Sequence, residues 1–184
     1  MPSPVGHALG GMLVGLILAR RGRLAAWGLL AHRSLGGGGG LGQLGVLAVV
    51  ACLPDLDFLW GRHNMETHSL GAAVLAGLAV LIWTRGRNGS LALAVTLAWS
   101  THVLFDWLGS DDTPPLGVMA LWPLTSAFYF ADAFVFEAIS RRYWLENFYS
   151  HNLSAVLREV LLLGPIAAFL YYLRRKPQAA SRKP

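Results

Sequence analysis

Only one cysteine, Cys52, occurs in 184 residues, and it lies inside an apolar run. An intramolecular disulfide is therefore impossible, and a zinc site built on several thiolates is excluded. Charge is scarce as well. Asp, Glu, Lys and Arg make up 14% of the chain, against 54% hydrophobic residues, and mean hydropathy is +0.47. Acids are the rarer sign, 10 against 15 basic residues, for a formal net charge of +5. A basic excess can serve nucleic acid, but here the basic residues sit at the ends of apolar segments. That placement anchors helices in a membrane and argues against a nucleic-acid groove. No Lys or Arg precedes the first apolar segment, while Arg20, Arg21 and Arg23 follow it. This reverses the order of a secretory signal, so the segment reads as a retained helix.

Apolar runs are what the chain has in quantity, at about 5–19, 41–53, 69–84, 90–108 and 157–173. Several fall short of the roughly 20 residues that cross a bilayer, and flanking Gly, Trp and Leu extend them. These runs have few polar faces, which argues against a soluble bundle. Gly6, Gly10, Gly11, Gly15, Gly42, Gly45, Gly71 and Gly77 recur in the first three runs, as in transmembrane helices whose backbones approach closely. The predicted fold is an all-α polytopic membrane bundle of about five transmembrane helices plus an interfacial helix. It forms one domain over 1–176, followed by a disordered basic tail at 177–184. GGGGG at 36–40 reads as a flexible linker, since no Lys-Ser/Thr follows to make a phosphate loop. The less apolar insert 109–156 reads as a loop followed by one or two interfacial helices over FEAISRRYWLENFYSHN, with the Trp and Tyr residues of 122–149 as an aromatic belt.

A five-helix alternation puts Arg20, Arg21, Arg23, Arg33, Arg85, Arg87, Arg174, Arg175, Lys176, Arg182 and Lys183 on one side, and Arg62, Arg141, Arg142 and Arg158 on the other. The positive-inside rule then predicts an inner-membrane protein with its N-terminus outside and its C-terminus cytoplasmic. On the outer side lies PDLDFLWGRHNMETHSL, residues 54–70, a connector rich in acids and imidazoles. His7, at the start of the first run, and THVLFD, at the end of the fourth, share that side. His102 and Asp106 are spaced i, i+4, so one helix face presents both, either as two metal ligands or as a hydrogen-bonded pair. Asp55 and Asp57 follow Pro54 where the second helix ends, and His68 opens the third, flanked by Thr67 and Ser69 as candidate caps. Ionisable groups at membrane depth are expensive and mark function. Three His and three Asp at one depth suit a divalent ion, zinc first and manganese as a tolerated second. His63, Glu66, Asp111 and Asp112 read as solvated loop residues and His32 as plainly polar, while the spacing of Glu137 and His151 points to no role.

GHALGG, PDLD, ETHSL, HVLFDWL and LWPLTS, in this order over about residues 5–126, resemble the YdjM-like family of membrane-bound proteins, described as metal-dependent hydrolases. That family is similar in turn to zinc-dependent phospholipase C, an all-helical phosphodiesterase. The resemblance implies a phospholipase C-like helical core. It implies His7, Asp55, His68, His102 and Asp106 as ligands to one or two zinc ions, and Asp57 as a further ligand or base. The further His and Glu ligands of the phospholipase have no clear match, which leaves a third metal site without support.

The expected activity is metal-assisted hydrolysis of a phosphoester in a membrane lipid or other amphiphile, with Asp57 or Asp55 orienting or deprotonating the attacking water. Arg62 has two readings, a grip on a phosphate oxygen or an interfacial anchor. A metal-ion transporter would continue its polar residues through to the cytoplasmic side, and almost none lie below His68 and Asp106. A binding or regulatory protein with a structural zinc would need only four ligands, whereas six candidates leave a position open.

Overall fold

A computed structural model describes residues 1–20, 39–111 and 114–175. Five α-helices and no named strand occur among them: α1 (Pro4–Arg20), α2 (Gly39–Cys52), α3 (Leu70–Trp83), α4 (Gly89–Trp107) and α5 (Phe148–Arg175). The five apolar runs of the sequence are thus the five helices. Two 3-10 helices, Leu53–Trp60 and Glu66–His68, fill the connector between α2 and α3. Of the predicted linker, Gly39 and Gly40 belong to α2, while residues 36–38, His32, Asp112 and the tail 176–184 lie outside the described residues.

Local chemistry sets the helix starts. The Ser3 hydroxyl accepts from the amides of Val5 (3.2 Å) and Gly6 (3.4 Å), and Pro4 occupies the first helical position, where its missing N–H costs nothing. Asn88 caps α4 by accepting from Leu91 N at 3.0 Å. Ser69 is the cap of α3, accepting from Ala72 N at 3.0 Å. Thr67, the other candidate cap, points its hydroxyl at Asp57.

Helix α1 packs against α2, α4 and α5, and α4 packs against α2 and α3. Close approach depends on missing side chains. A Cβ on Gly11 would stand 2.1 Å from the Leu47 carbonyl oxygen, and one on Gly77 would stand 2.0 Å from Thr96 Oγ1. Between α1, α2 and α4 lies an apolar core of Val14, Leu18, Leu47, Ala51, Leu91, Ala94, Val95 and Ala98. The outward faces are also apolar: Val49, Leu75, Ile82, Leu161 and Phe169 are more than half exposed. Among the described residues two helical segments are long and apolar enough to cross a membrane, Leu41–Trp60 and Phe148–Arg174.

The insert departs from expectation. Among the described residues no α-helix lies between α4 and α5, so the predicted interfacial helix over 136–152 is absent up to its last five residues, which open α5. Its backbone groups pair with other parts of the chain instead. Ser110 N donates to Phe136 O, Ile139 N to Met1 O, and Val118 and Tyr129 bridge antiparallel. The Asn152 side chain takes both Ser140 N (2.7 Å) and Ser140 O (2.9 Å), and His151 Nε2 meets Ala138 O at 2.8 Å. Such contacts from side chain to backbone compete with helix formation, and here they replace it.

Candidate metal centre

The N-terminal ends of α1, α3 and α5 and the C-terminal ends of α2 and α4 meet at one end of the bundle, and the buried polar side chains gather there. His7, Asp57, His68, His102 and Asp106 are each at most 2% exposed. Asp106 is the focus. Its Oδ2 lies 2.9 Å from His102 Nε2 and 3.4 Å from His68 Nε2, and its Oδ1 lies 3.3 Å from His7 Nε2. Asp55 Oδ1 stands 3.6 Å from His68 Nε2 and 3.7 Å from His102 Nε2. The His7 and His102 rings stack at 3.8 Å. All five predicted ligands therefore share one cluster.

The far sides of two rings are fixed. His102 Nδ1 sits 2.7 Å from the Ala51 carbonyl, which only accepts, so that nitrogen carries a hydrogen and Nε2 is the ring atom turned toward the cluster. His68 Nδ1 is held by Asp57 Oδ2 at 3.0 Å and neighbours the Thr67 hydroxyl at 3.1 Å. His68 Nε2, His102 Nε2 and both Asp106 oxygens are buried without a hydrogen-bond partner. Unsatisfied buried polar atoms are rare, and here ring nitrogens and carboxylate oxygens converge. A cation among them would satisfy these atoms. Imidazole nitrogens pinned through the opposite ring atom by a carbonyl or carboxylate are also how metal-binding histidines are oriented. The donor set is N and O only, which suits a divalent ion. Among the described residues two groups of three have the necessary proximity: His7, His102 and Asp106, and Asp55, His63 and His68. In the connector, burial alone would lower the His68 pKa, but Asp55 and Asp57 outweigh it and lift the ring to about 9.

Asp57 is placed differently from expectation. It is fully buried behind His68, with Oδ1 on His63 Nδ1 (2.8 Å) and Oδ2 on Thr67 Oγ1 (2.7 Å) and His68 Nδ1. Neither oxygen faces the converging nitrogens. Arg62 is likewise outside the cluster, at the surface and ion-paired with Glu66.

Three residues next to the cluster have no functional signature in the sequence, and His63 is not the solvated loop residue that the sequence suggests. His63 is mostly buried, bonded to Asp57 and stacked on Phe58 at 3.7 Å. Arg141 lies 4.0 Å over the Phe58 ring, with Nη2 3.1 Å from His63 Nε2. Glu159, fully buried on α5, accepts from Ser3 N at 2.6 Å and from the Ser3 hydroxyl, and so ties down the start of the helix that carries His7. A cavity of about 500 Å³ opens beside the cluster, lined by Asp55, Phe58, His63, Ile139, Arg141 and Arg142 among others.

The model of the YdjM inner membrane protein family matches residues 1–177, nearly the whole chain. The chain belongs to that family. Membership agrees with the apolar outer faces of the helices and covers every residue of the cluster. No curated protein and no solved structure matches the chain. Within the YdjM family, then, the physical chemistry of the cluster has to carry the functional reading.

Proposed function

We propose that this protein is a multi-pass, metal-dependent hydrolase that cleaves a phosphoester of a lipid or other amphiphile at the outer face of the inner membrane. The observation that supports it most is the set of buried, unpartnered ligand atoms of His68, His102 and Asp106, next to an open cavity. His7, Asp55, His68, His102 and Asp106 would hold one or two divalent ions, zinc being the best match to three imidazoles and two carboxylates. When bound, such an ion supplies Lewis acidity and lowers the pKa of a water to about 7.

The chain's own residues divide the remaining work. Asp57, with every oxygen engaged behind His68, is a positioning residue that fixes the ring. Asp55 is the ligand whose side chain is 25% exposed, and it lines the cavity. It is therefore the carboxylate able to accept a proton from a water entering from the substrate side. The apolar core beneath the cluster supports an enzyme over an ion transporter, because the buried polar side chains among the described residues lie at the cluster end.

Alternation of the five helices and the apolar outer faces support five crossings. Arg85 and Arg87 lie at the end of the bundle opposite the cluster, which supports the cluster facing outward. In a Cys52→Ser background, Arg62→Cys should react with an impermeant thiol reagent in intact cells. Labelling only after lysis would move the site to the cytoplasmic face. Activity is tested with zinc-loaded, detergent-purified protein against a panel of lipid phosphomonoesters and phosphodiesters. Turnover that a chelator removes and zinc restores is the expected result. Tight metal binding with no turnover across the panel would sink the enzymatic reading and favour a structural metal.

A further inference from the structure

Three of the basic residues at the cluster end, Arg62, Arg141 and Arg158, are not equivalent. Arg62 is neutralised by Glu66, and Arg158 reaches the Phe134 carbonyl at 3.5 Å. Arg141 is different. Its guanidinium meets an aromatic face and an imidazole nitrogen, and among the described residues no carboxylate pairs with it. It nevertheless lines a cavity whose two acids are already engaged: Asp55 with the histidine nitrogens, and Asp111, which accepts from Gly117 N at 3.0 Å.

The backbone around Arg141 is held on both sides. Asn152 grips Ser140 through both backbone groups, and the Ser140 hydroxyl accepts from Arg142 N at 3.2 Å. Phe58 supports the guanidinium from below. A guanidinium has donors and no acceptor, so its contact with His63 is one N–H on a neutral lone pair. The other donors of the fork remain for an anion, and paired parallel donors match two oxygens of a phosphate or carboxylate.

The geometry points to Arg141 as the residue that binds the anionic oxygens of a phosphoryl group held in the cavity, between the guanidinium and the Asp55 wall. This rests on the reading of the cluster as a metal centre acting on a phosphoester, and names its specificity-determining residue. The remaining wall, with Phe58 and Ile139, is apolar, so the same site takes a phosphate carrying an apolar substituent.

Binding to the zinc-loaded full chain in detergent is measured by calorimetry with inorganic phosphate, dihexanoyl phosphatidic acid and uncharged dihexanoylglycerol. Arg141→Gln should weaken both phosphate probes about ten- to a hundredfold while metal content stays unchanged. Arg141→Lys keeps the charge but loses the fork and should fall between, which decides the matter if the Gln variant misfolds. Arg62→Gln should stay within about twofold of the parent. Tighter binding of the lipid probe than of inorganic phosphate assigns the site to a lipid headgroup, and equal binding assigns it to free phosphate. The proposal is overturned if the parent binds neither phosphate probe, if Arg141→Gln and Arg141→Lys bind like the parent, or if Arg141→Gln loses its metal. Absent turnover with Arg141-dependent binding would refute hydrolysis alone. Turnover with Arg141-independent binding would refute the phosphate site alone.

Discussion

Helices α1, α2 and α4 build both ends of this bundle, by opposite means. At one end Val14, Leu18, Leu47, Ala51, Leu91 and Val95 meet by shape, with glycine allowing α1 to lie against the α2 backbone. At the other, His7, His102 and Asp106 are equally buried, but His7 Nδ1, His102 Nε2 and both Asp106 oxygens have no hydrogen-bond partner. A buried polar atom left unsatisfied costs about 1–3 kcal/mol, so the second end is destabilising as bare protein. The apolar end holds the helices in register, and the polar end draws on that rigidity to keep donors converging. Such an arrangement stores no stability of its own and makes sense for binding a cation.

Breaking the apolar end should have the largest effect on folding and the least on chemistry. Leu47→Ala removes a fully buried side chain and should cost about 2–5 kcal/mol of stability, read by denaturant or thermal unfolding in detergent. Metal per folded chain should not change. An effect on metal content before unfolding would show that the two ends are not separable.

Asp57→Asn is the intermediate case. The amide preserves volume but changes the orientation of His68, and loss of such an outer partner typically lowers metal affinity about ten- to a hundredfold. Competition with a chromophoric chelator measures it, and unchanged affinity would remove Asp57 from the positioning role. Smallest is Arg62→Gln. The Arg62–Glu66 pair is exposed, so its loss should shift stability by less than about 1 kcal/mol and leave metal affinity as it was. A larger change would return Arg62 to the site.

The sequence displayed the helices and the five cluster residues because both have local signatures. Apolar runs with terminal basic residues mark helices in lipid, and His102 and Asp106 share a face by spacing alone. His63 and Arg141 have no such signature: they meet across 78 positions because Asn152 and Phe58 position the insert. The predicted interfacial helix failed for the same reason, since long-range pairing of the insert outweighed its local amphipathic pattern. Glu159 was hidden inside an apolar run, and its partner Ser3 lies 156 residues away. Asp57 was found by its motif, but its direction depends on Thr67 and His63, which only the folded connector brings to it.

Metal content of the detergent-purified protein, parent against a His68→Ala, His102→Ala double variant, tests the central claim most directly. The parent should carry at least one zinc per chain, bound through nitrogen and oxygen with metal–ligand distances of about 2.0–2.2 Å by X-ray absorption. The double variant, folded by circular dichroism, should carry almost none. Equal metal in both proteins, or sulfur in the coordination shell of the parent, would contradict the account.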